Sequence, residues 1–214
     1  DPDQARASAQ IRHGAPAPYE SNETTHYSVM DGAGNVVSNT YTLNFSFGTG
    51  IVVPGTGILL NNEMDDFSAK PGVPNAFGLV GGEANAIQGG KRPLSSMTPT
   101  IVFKDGQPLL ATGSPGGSRI ITMVMQILLN VIDHNLNIAE ATAAPRIHHQ
   151  WRPDKLWVEQ GVGPDTLAIL RRRGHVVTPS RAAGSVQSVM RVAKGGGFLG
   201  ASDPRSPGAL SAGY

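Results

Sequence analysis

Residues 19–29 read YESNETTHYSV. A polar, acidic, turn-like segment stops at Thr24 and Thr25 and becomes an alternating strand. A threonine hydroxyl is a weak nucleophile unless a base stands beside it. Cutting the bond before it supplies that base, because the freed α-amine sits on the same residue. The hydroxyl attacks the preceding carbonyl, an ester forms, and water releases the new N-terminus. The candidate cleavage site is therefore Glu23–Thr24, and Thr24 is the candidate nucleophile. A plainer reading stands beside this one. Threonine favours β structure, and two in a row open a strand without further purpose.

Downstream, HYSVM (26–30), a DGAG turn (31–34) and NVVSNTYTLN (35–44) form a hairpin pattern. Upstream, residues 1–23 are rich in Pro, Ala and Ser and read as an extended or partly disordered tail. The chain therefore divides into that tail and a domain over 24–214. Residues 47–96 are glycine-punctuated loops, long enough to mark a binding loop or lid. A second hairpin pattern, TPTIVFKDGQPLLATG, covers 98–113, and SPGGSR (114–119) leads into a buried helix over about 118–133. Asn137 and Glu140 form a capping-box pattern that opens a short helix ended by Pro145. Pro164–Arg173 reads as a helix opened by Pro at its first position and closed by Gly174. Late strands fall at 176–178, 186–192 and 198–200. The pattern is α+β, with antiparallel sheet covered by helices.

Composition excludes several classes. The formal net charge of +1 over 214 residues offers no field for nucleic acid or an anionic membrane. There is no cysteine, hence no disulfide, thiolate metal site or Cys nucleophile. The longest apolar run, about 120–132, is interrupted by Thr122, Gln126 and Asn130 and is too short to span a bilayer. Residues 1–18 hold no apolar signal core, and the chain begins without Met, so a fragment or processing product is expected.

Three further stretches bear on chemistry. GSPGGSR (113–119) places glycines before a helix start, where backbone N–H groups can face an anion. It lacks the Gly-Lys-Ser/Thr of a nucleotide loop, and such a stretch is often only a turn. NNEMDD (61–66) and PLSS (93–96) together offer carboxylates for an ammonium and hydroxyls for a carboxylate, as an amino-acid zwitterion demands. The alternative is a solvated acidic loop. His148 and His149 are adjacent and point apart on a strand. Structural roles and no metal site are expected. Arg171–Arg173 closes a helix, where positive charge suits the dipole.

TTHYS, YTLN, GTGI, GILLNNEMDDFSAKPGVPN, KRPLSSMTPT, TGSPGGSRI, APRIHHQW and GASDPR follow one another in this order. From Tyr19 to Tyr214 the chain closely resembles the small-subunit half of bacterial-type gamma-glutamyltranspeptidases, also called glutathione hydrolases. The resemblance implies an N-terminal nucleophile hydrolase fold, a four-layer αββα arrangement with two stacked antiparallel sheets, of which this chain is part. It implies autocatalytic cleavage between Glu23 and Thr24, with 1–23 as the tail of the large subunit. It implies hydrolysis and transfer of the γ-glutamyl group of glutathione and related amides to water, amino acids or dipeptides. The resemblance implies no cofactor, nucleic acid or membrane insertion, and a periplasmic or extracellular location.

Carried onto this chain, Thr24 matches the nucleophile and Thr42 the threonine that orients it. Gly116 and Gly117 match the oxyanion-hole amides. Asn44, Glu63 and Asp66 match the residues holding the donor α-amino group, and Ser95 and Ser96 those near its α-carboxylate. Residues 71–82 match the segment that covers the pocket, with Phe77 where a tyrosine often sits. The family's carboxylate-binding arginine lies in the large subunit. An uncleaved or non-catalytic relative, or a glutaryl β-lactam acylase of the same fold, are the rival readings.

Overall fold

The computed structural model describes residues 24–181, 184–192 and 196–213. The expected tail over 1–23, including Glu23, lies outside the described residues.

Strands β1 (Thr25–Met30) and β2 (Val36–Tyr41) form the first hairpin, antiparallel and in register from Thr25–Tyr41 to Met30–Val36. Asp31 closes its turn by accepting the Asn35 backbone N–H at 2.8 Å and the Asn35 side-chain amide at 2.7 Å. Strands β3 (Thr100–Lys104) and β4 (Gln107–Gly113) form the second hairpin. Asp105 (φ 51°) and Gly106 (φ 75°) turn it, both left-handed as a tight two-residue connection requires.

Helices α1 (Ile120–Ile132) and α2 (Ile138–Ala143) follow, the latter opened by the expected Asn137–Glu140 capping box. Then come β5 (Ile147–His148), β6 (Leu156–Val158), α3 (Pro164–Arg172), β7 (Val177–Pro179), β8 (Gln187–Arg191) and β9 (Phe198–Ser202).

Strands β3-β4-β8-β9 make a four-stranded antiparallel sheet. Its helix-facing side builds the core, where Leu110, Val186 and Ala201 pack on Ile127, Val131, Ile138 and Ala141. The β1–β2 hairpin lies on the opposite side and docks largely through polar groups. Ser28 Oγ donates to the Gln187 carbonyl and Ser38 Oγ to the Thr112 carbonyl, each at 3.0 Å. Hairpin, sheet and α1/α2 are three stacked layers, ββα. A second helical layer is not found among the described residues. The small sheet β5-β6-β7 departs from the antiparallel expectation. Its β6–β7 pair is parallel, because α3 intervenes as a crossover.

The expected buried helix is only half buried. Ile120, Met123, Val124, Ile127 and Val131 face the core, while Ile121, Met125, Leu129 and Ile132 form an exposed stripe. An apolar run cannot report that one of its faces is left uncovered by the described residues.

Candidate active site

Thr24 stands half-buried at the entrance to β1. Thr25 pairs with Tyr41 at the end of the ladder, which leaves Thr24 and Thr42 as the next residue of each strand. The Thr42 hydroxyl accepts the Asn44 backbone N–H at 2.9 Å. Beneath Thr24, His26 bonds Thr40 Oγ1 at 2.7 Å and Ser28 Oγ at 3.0 Å. Its ring fills the space where Gly113 has no side chain, since a Cβ on Gly113 would stand 2.2 Å from the imidazole. Burial pushes this imidazole down to about 4, so it is neutral at pH 7.

Thr24 lines a cavity of about 820 Å³ with Pro115, Ser185 and Gln187. Pro115 leads directly into Gly116 (φ 140°) and Gly117 (φ 55°), backbone conformations that favour glycine. The 3₁₀ turn Gly117–Arg119 then opens α1. The first amides of such a start have no preceding carbonyl to bond, which leaves them able to face an anion.

The acidic cluster lies on a 3₁₀ turn, Glu63–Asp66. Asn62 ties it to the end of the first hairpin. Its carbonyl accepts from Asn44 Nδ2 at 3.2 Å, and its side-chain oxygen accepts the Phe45 N–H at 3.0 Å. Asn44 is buried with φ 75°. Burial raises the Glu63 carboxyl to about 7, with repulsion from Asp66 adding to it. Burial raises Asp66 as well. The two share a proton-hungry site that a cation would discharge.

Ser96 lines a second cavity, about 250 Å³, with Asp65, Asp66 and Asn75. Ser95 is exposed, and its hydroxyl accepts the Met97 N–H at 3.2 Å. Ser95 is therefore not brought to Asp66 in the way Ser96 is. The Thr24 cavity and the Asp66 cavity have no lining residue in common.

Phe77 sits with its ring against the Gly116–Gly117 turn. A Cβ on Gly117 would meet that ring at 2.8 Å. The ring also packs on Phe45, centroids 5.9 Å apart.

Two residues that drew no attention in the sequence enter the site. Asp65 accepts the Ala76 N–H through its carboxylate at 3.3 Å and the Asn75 side-chain amide through its carbonyl at 3.2 Å. Gln150, just past β5, reaches both the 77–78 segment and Ser118. Asp65 was hidden inside an acidic run, and Gln150 is uncharged beside two histidines. His148 is buried against Trp157, and His149 pairs with Asp154 at 3.1 Å. Among the described residues no three His, Asp or Glu side chains gather as metal ligands.

A strand-opening threonine on one of two stacked antiparallel sheets, with a glycine turn beside it, defines the N-terminal nucleophile hydrolase class. The gamma-glutamyltranspeptidase family model matches residues 1–213, and the chain belongs to that family. The glutathione hydrolase proenzyme of Escherichia coli strain K12 is 63% identical over 214 residues, all of this chain and 37% of that protein. The glutathione hydrolase proenzyme of Pseudomonas sp. strain A14 is 47% identical over 223 residues, again all of this chain and 39% of that protein. The chain thus spans less than two fifths of the length of these relatives. A solved mutant of gamma-glutamyltranspeptidase from Helicobacter pylori aligns with a TM-score of 0.82 at 54% identity, covering 85% of this chain and 100% of that one.

Proposed function

We propose that this chain is the nucleophile-bearing part of an enzyme that hydrolyses and transfers γ-glutamyl groups, glutathione among its donors. The observation that carries the reading is Thr24 at the mouth of β1, in a cavity whose Pro115 wall runs into the Gly116–Gly117 turn.

After cleavage of the Glu23–Thr24 bond, the Thr24 amine takes the proton of its own hydroxyl, and Oγ attacks the γ-carbonyl. The tetrahedral oxyanion forms against the Gly116 and Gly117 N–H groups. The amine leaves with the proton, and a γ-glutamyl ester remains on Thr24. Water or an acceptor amine then opens that ester, which predicts ping-pong kinetics. Glu63, Asp66 and Asn44 hold the donor ammonium, and Ser96 with Ser95 the carboxylate end. Phe77 covers the pocket. A donor ending in a plain carboxylate, as a glutaryl acylase takes, would be repelled by Glu63 and Asp66, so that rival is disfavoured.

The partner is a large subunit cut from the same precursor, with residues 1–23 as its tail. Three apolar surfaces support a covering chain: the Ile121–Ile132 stripe of α1, the outer hairpin face of Tyr27, Val29, Val37 and Tyr41, and the Phe47–Leu60 loop. The uncut precursor would be a zymogen, and the location periplasmic or extracellular. No described helix is long and apolar enough to cross a membrane.

Intact-mass spectrometry of the full-length protein beside its Thr24→Ala variant tests the reading. Wild type is expected to split between residues 23 and 24 and to release amine from a γ-glutamyl anilide. The variant is expected to do neither. A wild type that stays whole would sink the proposal.

A further inference from the structure

The segment 75–79 is a small unit organised by one side chain. Asn75 Oδ1 accepts the N–H groups of Phe77 and Leu79, each at 3.0 Å, and the Gly78 N–H reaches the Asn75 carbonyl at 2.9 Å. This unit is tied down at two places. One is Asp65, beside the acidic cluster. The other is Gln150, seventy-odd residues later in the chain and in the loop after β5.

We propose that Gln150 is a positioning residue that clasps the 75–79 segment onto the Gly116–Gly117 turn and so sets the closure of the γ-glutamyl pocket. The inference rests on the function proposed above and adds to it the device that holds the cover shut. Gln150 Nε2 faces three carbonyls, those of Phe77 at 3.4 Å, Gly78 at 3.3 Å and Arg152 at 3.2 Å. Its Oε1 accepts from Ser118 Oγ at 2.9 Å and lies 2.9 Å from His148 Nε2. Ser118 follows Gly117 directly, so a single amide bridges the cover and the oxyanion turn.

The chemistry singles out an amide. One end must accept from two donors while the other donates to carbonyls, which the planar amide of Asn or Gln does and a neutral imidazole, with a single acceptor lone pair, does not. The reverse orientation would set the amide oxygen against three carbonyls. The chosen orientation places a proton on His148 Nε2. His148 is itself held by Thr122 Oγ1 at 2.8 Å and by stacking on Trp157 at 5.4 Å, so α1 and β6 back the clasp. The contacts to the cover are long and shared, which makes them weak one by one. A clasp of that kind holds the segment yet releases it for donor entry.

Gln150→Glu is the first test, because it keeps length and the acceptor toward Ser118 and His148 while turning a carboxylate oxygen on the three carbonyls. Gln150→Met is the second, an apolar side chain of similar length that removes the tie without charge. In the processed full-length enzyme, chymotrypsin cleavage after Phe77, followed by mass, reads opening of the segment. Both variants are expected to speed that cleavage by about fivefold or more, since cutting tracks the open population. Both are expected to raise KM for a γ-glutamyl anilide about tenfold with kcat changed less than about threefold. Wild-type cleavage rates in both variants would overturn the clasp, as would opening in Gln150→Glu alone, which would trace the effect to added charge. An inactive wild type would sink the γ-glutamyl reading, while the chymotrypsin comparison still decides the role of Gln150.

Discussion

At the scale of single residues, the acidic turn divides its labour. Glu63 and Asp66 keep their carboxylates together and half-buried, while Asp65 turns to the 75–79 segment. The first pair is costly when empty, since burial and mutual repulsion lift Glu63 to about 7. A carboxyl with a raised pKa is neutral below that value and charged above it. Attraction for a donor ammonium therefore grows as pH rises through about 7. The pH profile of kcat/KM is expected to carry that rise in wild type and to lose it in Glu63→Gln, which should also fall by about tenfold or more. A variant profile superimposable on wild type would show that Glu63 does not titrate in the free site. Phe77 poses a separate question. It lacks a hydroxyl that could bond across the pocket, so Phe77→Tyr is expected to shift the partition between hydrolysis and transfer. Product ratios at fixed acceptor concentration measure this.

At the scale of elements, the first hairpin shows how Thr24 is held. Alternation along HYSVM correctly predicts a strand, but its inward face carries His26 and Ser28 rather than apolar residues. His26 bonds Thr40 and Ser28 within the hairpin, and Ser28 in turn bonds the Gln187 carbonyl of the sheet, which gives the docking direction near Thr24. Gly113 is the counterpart, leaving room for the His26 ring. Gly113→Ala would force the two apart, and overpacking of this kind costs about 1–3 kcal/mol. Urea unfolding measures it.

His26 also makes a pH prediction. Its folded pKa, about 4, lies below the ordinary 6.5, so the unfolded chain takes up a proton that the folded chain refuses. Stability from this residue is complete above 6.5 and is lost as pH falls toward 4, at no more than about 1.4 kcal/mol per pH unit. His26→Gln is expected to flatten that part of the urea-midpoint profile between pH 7 and pH 5.

At the scale of the whole molecule, a buried ionic network ties the end of β9 to α2 and β6. Arg146 meets Asp203 at 2.7 Å, and Arg205 meets Glu159 at 2.7 Å and Asp203 at 3.1 Å. Asp203 also accepts the Val186 N–H at 2.9 Å, which carries the network into the strand that follows. Removing one partner leaves a buried charge behind. Arg146→Met is expected to cost about 3–5 kcal/mol, read as a lowered urea midpoint. The apolar surfaces of α1, the hairpin and the 47–60 loop belong to the same scale, because they are exposed among the described residues and burying them would take further protein.

Much of the molecule was legible in order of residues alone. Two hairpins, the capped α2, the proline-opened α3 and the glycine turn before α1 follow from local rules, since turns and caps are settled by a few neighbouring side chains. The candidates for nucleophile, oxyanion hole and ammonium site follow from motifs that stand in fixed succession. The short strands β5 and β6 were not legible, because two or three residues carry no period. The parallel β6–β7 pair was not legible either, because strand direction depends on the path taken by α3.

The sequence by itself determined which family the chain belongs to and marked the candidates for its chemistry, since both rest on contiguous motifs. Only the tertiary structure decided that one face of α1 is exposed among the described residues, that Ser96 and not Ser95 lines a cavity with Asp66, and that Asp65 and Gln150 hydrogen-bond the 75–79 segment. The physical reason is common to these cases. Periodicity tells which way a side chain points along its own element, but what stands across from it is set by contacts far apart in the chain.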